Sequence, residues 1–212
     1  MSSSAEQLAR IAHLVDQRAL THGRTGNIAV RDGDQVLVTP TGVRLGQVRA
    51  DQLARVDLHG QHLGGPKPTK ETFLHVAILR TRPDLHAVVH THSVYGAALS
   101  CLDGLDPHQP LPALTAYYGM RIGRLEVLPY YAPGDREATG AVEQAAALSH
   151  ALLLRNHGPV VAGTDLDSAL DALEELEHTA QLFFLTRALP VAPLTPQQQA
   201  ALSPSLPPRS NP

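Results

Sequence analysis

The stretch AVVHTHS, residues 87–93, closes a short apolar run with two imidazoles, His90 and His92, one residue apart. Side chains of an extended strand alternate between faces, so residues i and i+2 point the same way and one ion can touch both rings. The pair also suits two plainer roles: His92 capping the helix that follows, or both rings satisfying buried polar groups. A catalytic zinc site usually takes three protein ligands and keeps a fourth position open, so the metal reading needs another donor. RNHGPVVAG supplies one in His157, set between the run ALLL and Gly158–Pro159, where a strand breaks into a turn and a side chain can project into a cleft. Taken singly, His157 is an ordinary turn histidine; with His90 and His92 it completes a set.

Glu71 opens the segment that leads to the His-x-His run, and His75 follows one helical turn later. An acid in the first turn of a helix is common for dipole reasons alone; beside a metal it would carry protons. His75 is assigned packing or support of the ligands. Three short turns could cradle an anion. Gly26–Asn27 after Arg24–Thr25, Thr41–Gly42 within TPTG, and Thr69–Lys70 before Glu71 offer backbone N–H groups or hydroxyls, and the last adds a helix dipole and an ammonium. Each alone is an ordinary turn; together, all in the segments leading to the histidine run, they suggest a phosphate site.

These groups need a scaffold, and the chain is large enough to supply one. Its 212 residues suit a single domain, which at this size buries roughly 70% of the unfolded surface. A net charge of −3 gives no electrostatic footprint for nucleic acid. No apolar stretch approaches the roughly 20 residues of a membrane-spanning helix. One cysteine, Cys101, and no leader-like amino-terminal run point to a cytoplasmic protein.

Periodicity places the elements. SSSAEQLARIAHLVDQRAL has a serine cap and apolar residues at helical spacing, ending near His22–Gly23. NIAVRDGD and QVLVTP form a hairpin about Asp-Gly, and DLHGQHLGG a second, more polar one. PTKETFLHVAILRTRPD reads as a helix from Pro68 to just before Pro83, and SVYGAALSCL as another with Ser93 as cap. LEVLPYY and ALLLRNHGPVVAG carry strands buried on both faces, with a helix in GDREATGAVEQAAALSHA between them and a last one in DLDSALDALEELEHTAQLFFLTRAL. Hairpins mixed with helices predict an α/β, three-layer fold: a central, mostly antiparallel β-sheet flanked by helices. The domain spans residues 1–189, and a proline-rich, mobile tail spans 190–212.

GRTGNIAVR, VTPTG, KPTKE, RPDLHAVVHTHS and RNHGPVVAG, in this order and spacing, resemble the class II aldolase/adducin family over about residues 5–188. The resemblance implies a divalent metal held by His90, His92 and His157, Glu71 as catalytic acid/base, and phosphate contacts from Gly26, Asn27, Thr41, Gly42, Thr69 and Lys70. It also implies a homotetramer with active sites at subunit boundaries, and a tyrosine reaching in from the neighbouring subunit, here Tyr117 or Tyr118. Zinc is the first choice for three imidazoles, with manganese, cobalt and iron able to use the same ligands. Fuculose-phosphate aldolases have two serines before the glutamate, where this chain has Thr69–Lys70, and ribulose-phosphate epimerases have aspartate where Glu71 stands. LDGLDP, LPALTAYYGMRIG and LPYYAPGD look most like the 3-oxo-tetronate 4-phosphate decarboxylases, although Arg24 stands where that pattern has a small residue.

The implied reaction exploits a carboxylate β to a ketone: carbon dioxide leaves, the ketone accepts the electron pair, and Glu71 protonates C2 to give dihydroxyacetone phosphate. A divalent cation would stabilise the charge as it develops. An aldolase acting on a sugar phosphate such as fuculose 1-phosphate would use the same electron sink. A metal-free scaffold like the adducin head is the non-enzymatic alternative.

Overall fold

The computed structural model describes residues 2–202. Ser3 starts helix α1 (Ser4–Gln17) with a reciprocal cap: its hydroxyl accepts from Glu6 N–H, and the Glu6 carboxylate accepts from Ser3 N–H. The buried face is Leu8, Ile11, Ala12 and Val15. The helix ends five residues short of the expected His22–Gly23 boundary. Ala19 adopts φ 55° and Leu20 N–H closes back onto the Val15 carbonyl, satisfying the last turn and diverting the chain.

Eight strands follow: β1 (Asn27–Asp32), β2 (Gln35–Val38), β3 (Ala54–Val56), β4 (His62–Gly64), β5 (Ala87–His90), β6 (Leu125–Leu128), β7 (Ala151–Leu154) and β8 (Gly158–Gly163). They form one sheet in the order β4-β3-β2-β1-β5-β8-β7-β6. All neighbours are antiparallel except β6 and β7, which are joined through a helix as parallel strands require. Both expected hairpins, β1–β2 and β3–β4, are present.

Alternation along the central strands divides the core. Ile28, Val30, Ala87, Val89, Leu153 and Val161 belong to one buried cluster, with α1, α3 (Val94–Ser100), α4 (Ala116–Arg121) and α6 (Leu166–Thr186). Ala29, Val88, Leu152, Val160 and Ala162 belong to the other, with α2 (Thr72–Thr81) and α5 (Thr139–Leu148). The chain therefore folds as a three-layer α/β protein around a mostly antiparallel sheet. Coverage of both faces explains why β5, β7 and β8 read as continuous apolar runs.

Three further local readings change. Helix α2 begins at Thr72 and not near Pro68, because Pro68 bridges to Pro40 and the flanking N–H groups of Thr41 and Thr69 donate to Lys67 and Thr39 carbonyls. The short α4, absent from the periodicity, is capped by the Thr115 hydroxyl on Tyr118 N–H. The expected free tail from residue 190 instead returns to the body. Leu194 packs on the core and donates its N–H to the Ala113 carbonyl, ahead of a short helix α7 (Pro196–Ala200). The rest of that expected tail, 203–212, lies outside the described residues. Among the described residues no helix is long and apolar enough to cross a membrane.

Candidate metal centre and anion cleft

His90 is the last residue of β5, pairing with Asn27 of β1 on one side and Val160 of β8 on the other. His92 lies just past the strand end. His157 sits in the tight turn between β7 and β8, where Leu154 pairs with Gly158 and Asn156 takes the left-handed conformation, φ 54°. Gly158 makes this approach possible: a Cβ there would stand 2.4 Å from the Thr91 carbonyl oxygen. Ser100 at the end of α3 anchors the turn from outside, its carbonyl accepting from Asn156 N–H and its hydroxyl from His157 N–H.

The result brings one nitrogen from each of His90, His92 and His157 within 4.8 Å of the others. The Nε2 atoms of His90 and His157 are 3.3 Å apart. That spacing matches two imidazoles each about 2.0–2.1 Å from one tetrahedral ion. The Pro159 carbonyl can only accept, so His90 Nδ1–H donates to it at 2.9 Å and the Nε2 lone pair is left facing the other rings. Burial and the neighbouring imidazoles hold His92 down at about 3 and His157 at about 4, so both rings are neutral donors at neutral pH. The donor set fits a divalent cation.

Glu71 occupies the N-cap position of α2 but makes no cap hydrogen bond. Its buried carboxylate turns to the imidazoles: Oε2 is 3.4 Å from His90 Nε2 and Oε1 3.4 Å from His157 Nε2. Asn27 donates to Oε2 at 2.8 Å, and the Asn27 carbonyl oxygen then faces His75 Nε2, which must carry the proton. Burial alone would raise the Glu71 pKa; His90, the Asn27 amide and His157 outweigh it and hold the carboxyl below its ordinary range. His75 is wholly buried and kept neutral, at about 3, chiefly by that burial. The Glu71 carboxylate therefore lies against the imidazoles and does not cap α2.

Above the rings opens a cleft with about 590 Å³ of space free of protein atoms, open to solvent. It is lined by Gly26, Asn27, Thr41, Gly42, Thr69 and Lys70, together with Glu71, His92, His157 and Arg24. The phosphate-site candidates thus share one wall, although not through the groups the sequence offered. Thr41 and Thr69 spend their N–H groups on the Pro40–Pro68 bridge, so only their hydroxyls can face a ligand, and the Asn27 amide is committed to Glu71 and His75. Among the described residues the N–H groups of Gly26, Gly42 and Lys70 make no backbone hydrogen bond. Gly26 has φ 78°, and a Cβ there would press on the His90 carbonyl and the Thr21 hydroxyl at 3.0 Å. Behind Glu71 and His157 lies a second, apolar recess lined by Phe73, Leu74, Tyr131, Val142 and Leu154.

The profile of the class II aldolase and adducin N-terminal domain matches residues 6–184. The chain belongs to that family. A 3-oxo-tetronate 4-phosphate decarboxylase of Haemophilus influenzae is 44% identical over 191 residues, 90% of this chain and 91% of that one. The crystal structure of YgbL from Escherichia coli superposes with TM-score 0.91 at 40% identity, covering 93% of this chain and 96% of that one. An L-fuculose phosphate aldolase of Methanocaldococcus jannaschii is 34% identical over 180 residues, 85% of this chain and 95% of that one. The class II aldolases are divalent-metal dependent, and this chain presents imidazoles able to hold such an ion.

The two tyrosines separate cleanly. Tyr118 is 1% exposed, packed in the core with its hydroxyl unpartnered among the described residues, and burial pushes its phenol above the ordinary range. A side chain so placed cannot extend into another subunit, and this corrects its candidacy. Tyr117 is 60% exposed, beside Arg121. Sequence reasoning missed the coupling of Asn27 to Glu71 and His75, the edge-on approach of the His22 ring to His92 at 6.3 Å, and the Pro133–Gly134 loop that closes over Lys70. The LPYYAPGD motif was the signal for that last contact. The other two join residues that nothing in the sequence links.

Proposed function

We propose that this chain is a divalent-metal-dependent carbon–carbon lyase that converts a 3-oxo-tetronate 4-phosphate to dihydroxyacetone phosphate and carbon dioxide. The observation that carries the reading is the convergence of His90, His92 and His157, with the Glu71 carboxylate against them, beside a cleft lined by Gly26, Gly42, Thr69 and Lys70. The chain bearing it is 44% identical to a decarboxylase of that substrate over nine-tenths of its length. All three imidazoles and the acid are present, which favours an enzyme over a scaffold.

His90, His92 and His157 would hold the divalent cation, zinc in our reading, which would supply a Lewis acid for the negative charge that develops as carbon dioxide leaves. The chain's own residues do the rest. The N–H groups of Gly26, Gly42 and Lys70 and the hydroxyls of Thr41 and Thr69 hold the phosphate and fix the reacting carbons relative to Glu71, a gain of several kcal/mol by orientation. Asn27 aims the carboxylate. Glu71 starts ionised, takes up one proton, and delivers it to C2 after carbon dioxide departs, so the net reaction consumes one proton and releases carbon dioxide. The apolar recess gives Glu71 and His157 a nonpolar surrounding on one side.

We read the molecule as a cytoplasmic homotetramer. Exposed apolar side chains at Val94, Tyr117 and Leu185 support burial against other copies, and the free thiol of Cys101 suits a reducing compartment. Tyr117 is the candidate to serve a neighbouring site.

Incubating both C2 epimers of a 3-oxo-tetronate 4-phosphate with the purified protein tests reaction and stereochemistry together. Release of carbon dioxide matched by dihydroxyacetone phosphate is expected from one epimer. Aldol addition of dihydroxyacetone phosphate to lactaldehyde, with no carbon dioxide from either epimer, would replace the decarboxylase with an aldolase.

A further inference from the structure

Arg24 lines the anion cleft with the free-amide turns and Lys70. The arginines elsewhere on the surface mostly have acidic partners: Arg10 with Asp167, Arg44 with Asp16, Arg124 with Glu126. Arg24 makes no hydrogen bond or ion pair among the described residues, and neither does the Lys70 ammonium. Glu71, the one acid lining the cleft, directs its carboxylate to Asn27 and the imidazoles, leaving both cations uncompensated. Two free cations and a set of free N–H donors on one wall form a site for a group of double negative charge.

We infer that Arg24 is a specificity-determining residue of this chain, pairing its guanidinium with the terminal phosphate of the substrate. The inference rests on the decarboxylase reading for the substrate's identity, while the anion itself follows from the cleft. That substrate carries two anionic groups, and the chemistry distinguishes them. The carboxylate loses its charge on becoming carbon dioxide, so a strong ion pair there would stabilise the starting state more than the transition state and slow the reaction. The phosphate keeps its charge throughout, so binding energy spent on it orients the reacting end without opposing departure. Guanidinium geometry also suits two phosphate oxygens at once, which an ammonium cannot match. Arg24 precedes the left-handed turn at Gly26 by two residues, so both residues line the same cleft from one loop.

Binding of inorganic phosphate and of dihydroxyacetone phosphate to the metal-loaded protein, measured by calorimetry for wild type, R24A and R24K, tests the assignment. Loss of a charged hydrogen-bonding partner should weaken both by roughly 10- to 100-fold in R24A, with partial recovery in R24K. In the decarboxylation assay KM should rise by a similar factor while kcat stays within about threefold of wild type. The side chain is exposed and unbonded, so the variants should keep the wild-type melting temperature. Phosphate affinity unchanged within about twofold in R24A would overturn the inference, as would a fall in kcat with KM unchanged, which would put Arg24 at the reacting end. Failure of wild type to release carbon dioxide would sink the decarboxylase reading alone, and the phosphate titration would still judge Arg24.

Discussion

The floor of the candidate site and the wall of its cleft lie side by side and treat their polar atoms in opposite ways. On the floor, Glu71 is held by Asn27, Asn27 by His75, and His90 by the Pro159 carbonyl, in buried surroundings that remove freedom before any ligand arrives. On the wall, the N–H groups of Gly26, Gly42 and Lys70 and the charges of Arg24 and Lys70 have no partner among the described residues. The contrast teaches where each kind of work is done. Proton transfer and metal binding need fixed geometry in low dielectric, whereas a dianion needs donors kept vacant and close to water.

The comparison breaks most visibly at Glu71 and His157. Glu71→Gln should lower turnover by roughly 10²- to 10⁴-fold, the usual share of general acid–base catalysis, while metal content per chain stays at the wild-type value. His157→Ala should lose metal and turnover together. Metal analysis beside a rate assay reads both, and near-normal turnover in the glutamine variant would remove Glu71 from the proton path.

A smaller effect is expected at Asn27. Asn27→Ala leaves a buried carboxylate oxygen and a buried imidazole N–H unpaired, a cost of about 1–3 kcal/mol measurable by denaturant unfolding. The Asn27 amide lowers the Glu71 pKa, so its loss should move the Glu71 limb of the kcat profile to higher pH. The stability sign follows. A depressed folded pKa contributes stability present above the unfolded value, near 4.3, and lost as pH falls through the folded one. The alanine variant should therefore lose less stability than wild type on acidification. An equal loss would mean that Asn27 does not set the Glu71 charge.

On the wall, Thr41→Ala should raise KM by roughly 2- to 10-fold with kcat unchanged, the worth of one hydroxyl contact. A matched fall in kcat would show that the wall takes part in the chemical step. The least effect belongs to Tyr118→Phe. Its hydroxyl is buried without a partner among the described residues, so activity should be unchanged and the melting temperature equal to or slightly above wild type, by up to about 1 kcal/mol of stability. A large loss of turnover would restore Tyr118 as a functional residue.

Legibility followed locality. The His-x-His pair, the turn at His157 and the hairpin at Asp32–Gly33 were readable because each depends on a few neighbouring residues and a period of two. Helix boundaries were less so: α1 stops at a left-handed alanine, a conformation that the residue type does not advertise, and the start of α2 moves because of a contact between two prolines 28 positions apart. The tyrosines defeated local reasoning for the same cause. Adjacent residues on the short α4 face opposite environments, one in the core and one at the surface.

Residue chemistry alone singled out three of the twelve imidazoles, one acid and several anion-friendly turns, and indicated that apolar runs would bury a sheet between helices. Which nitrogen atoms share a point, which amides stay unpaired, and that Asn27 holds Glu71 were decided only by tertiary structure. Those facts depend on how β5, β1, the β7–β8 turn and the start of α2 meet, and such meetings are set by packing between distant segments, which no spacing along the chain encodes.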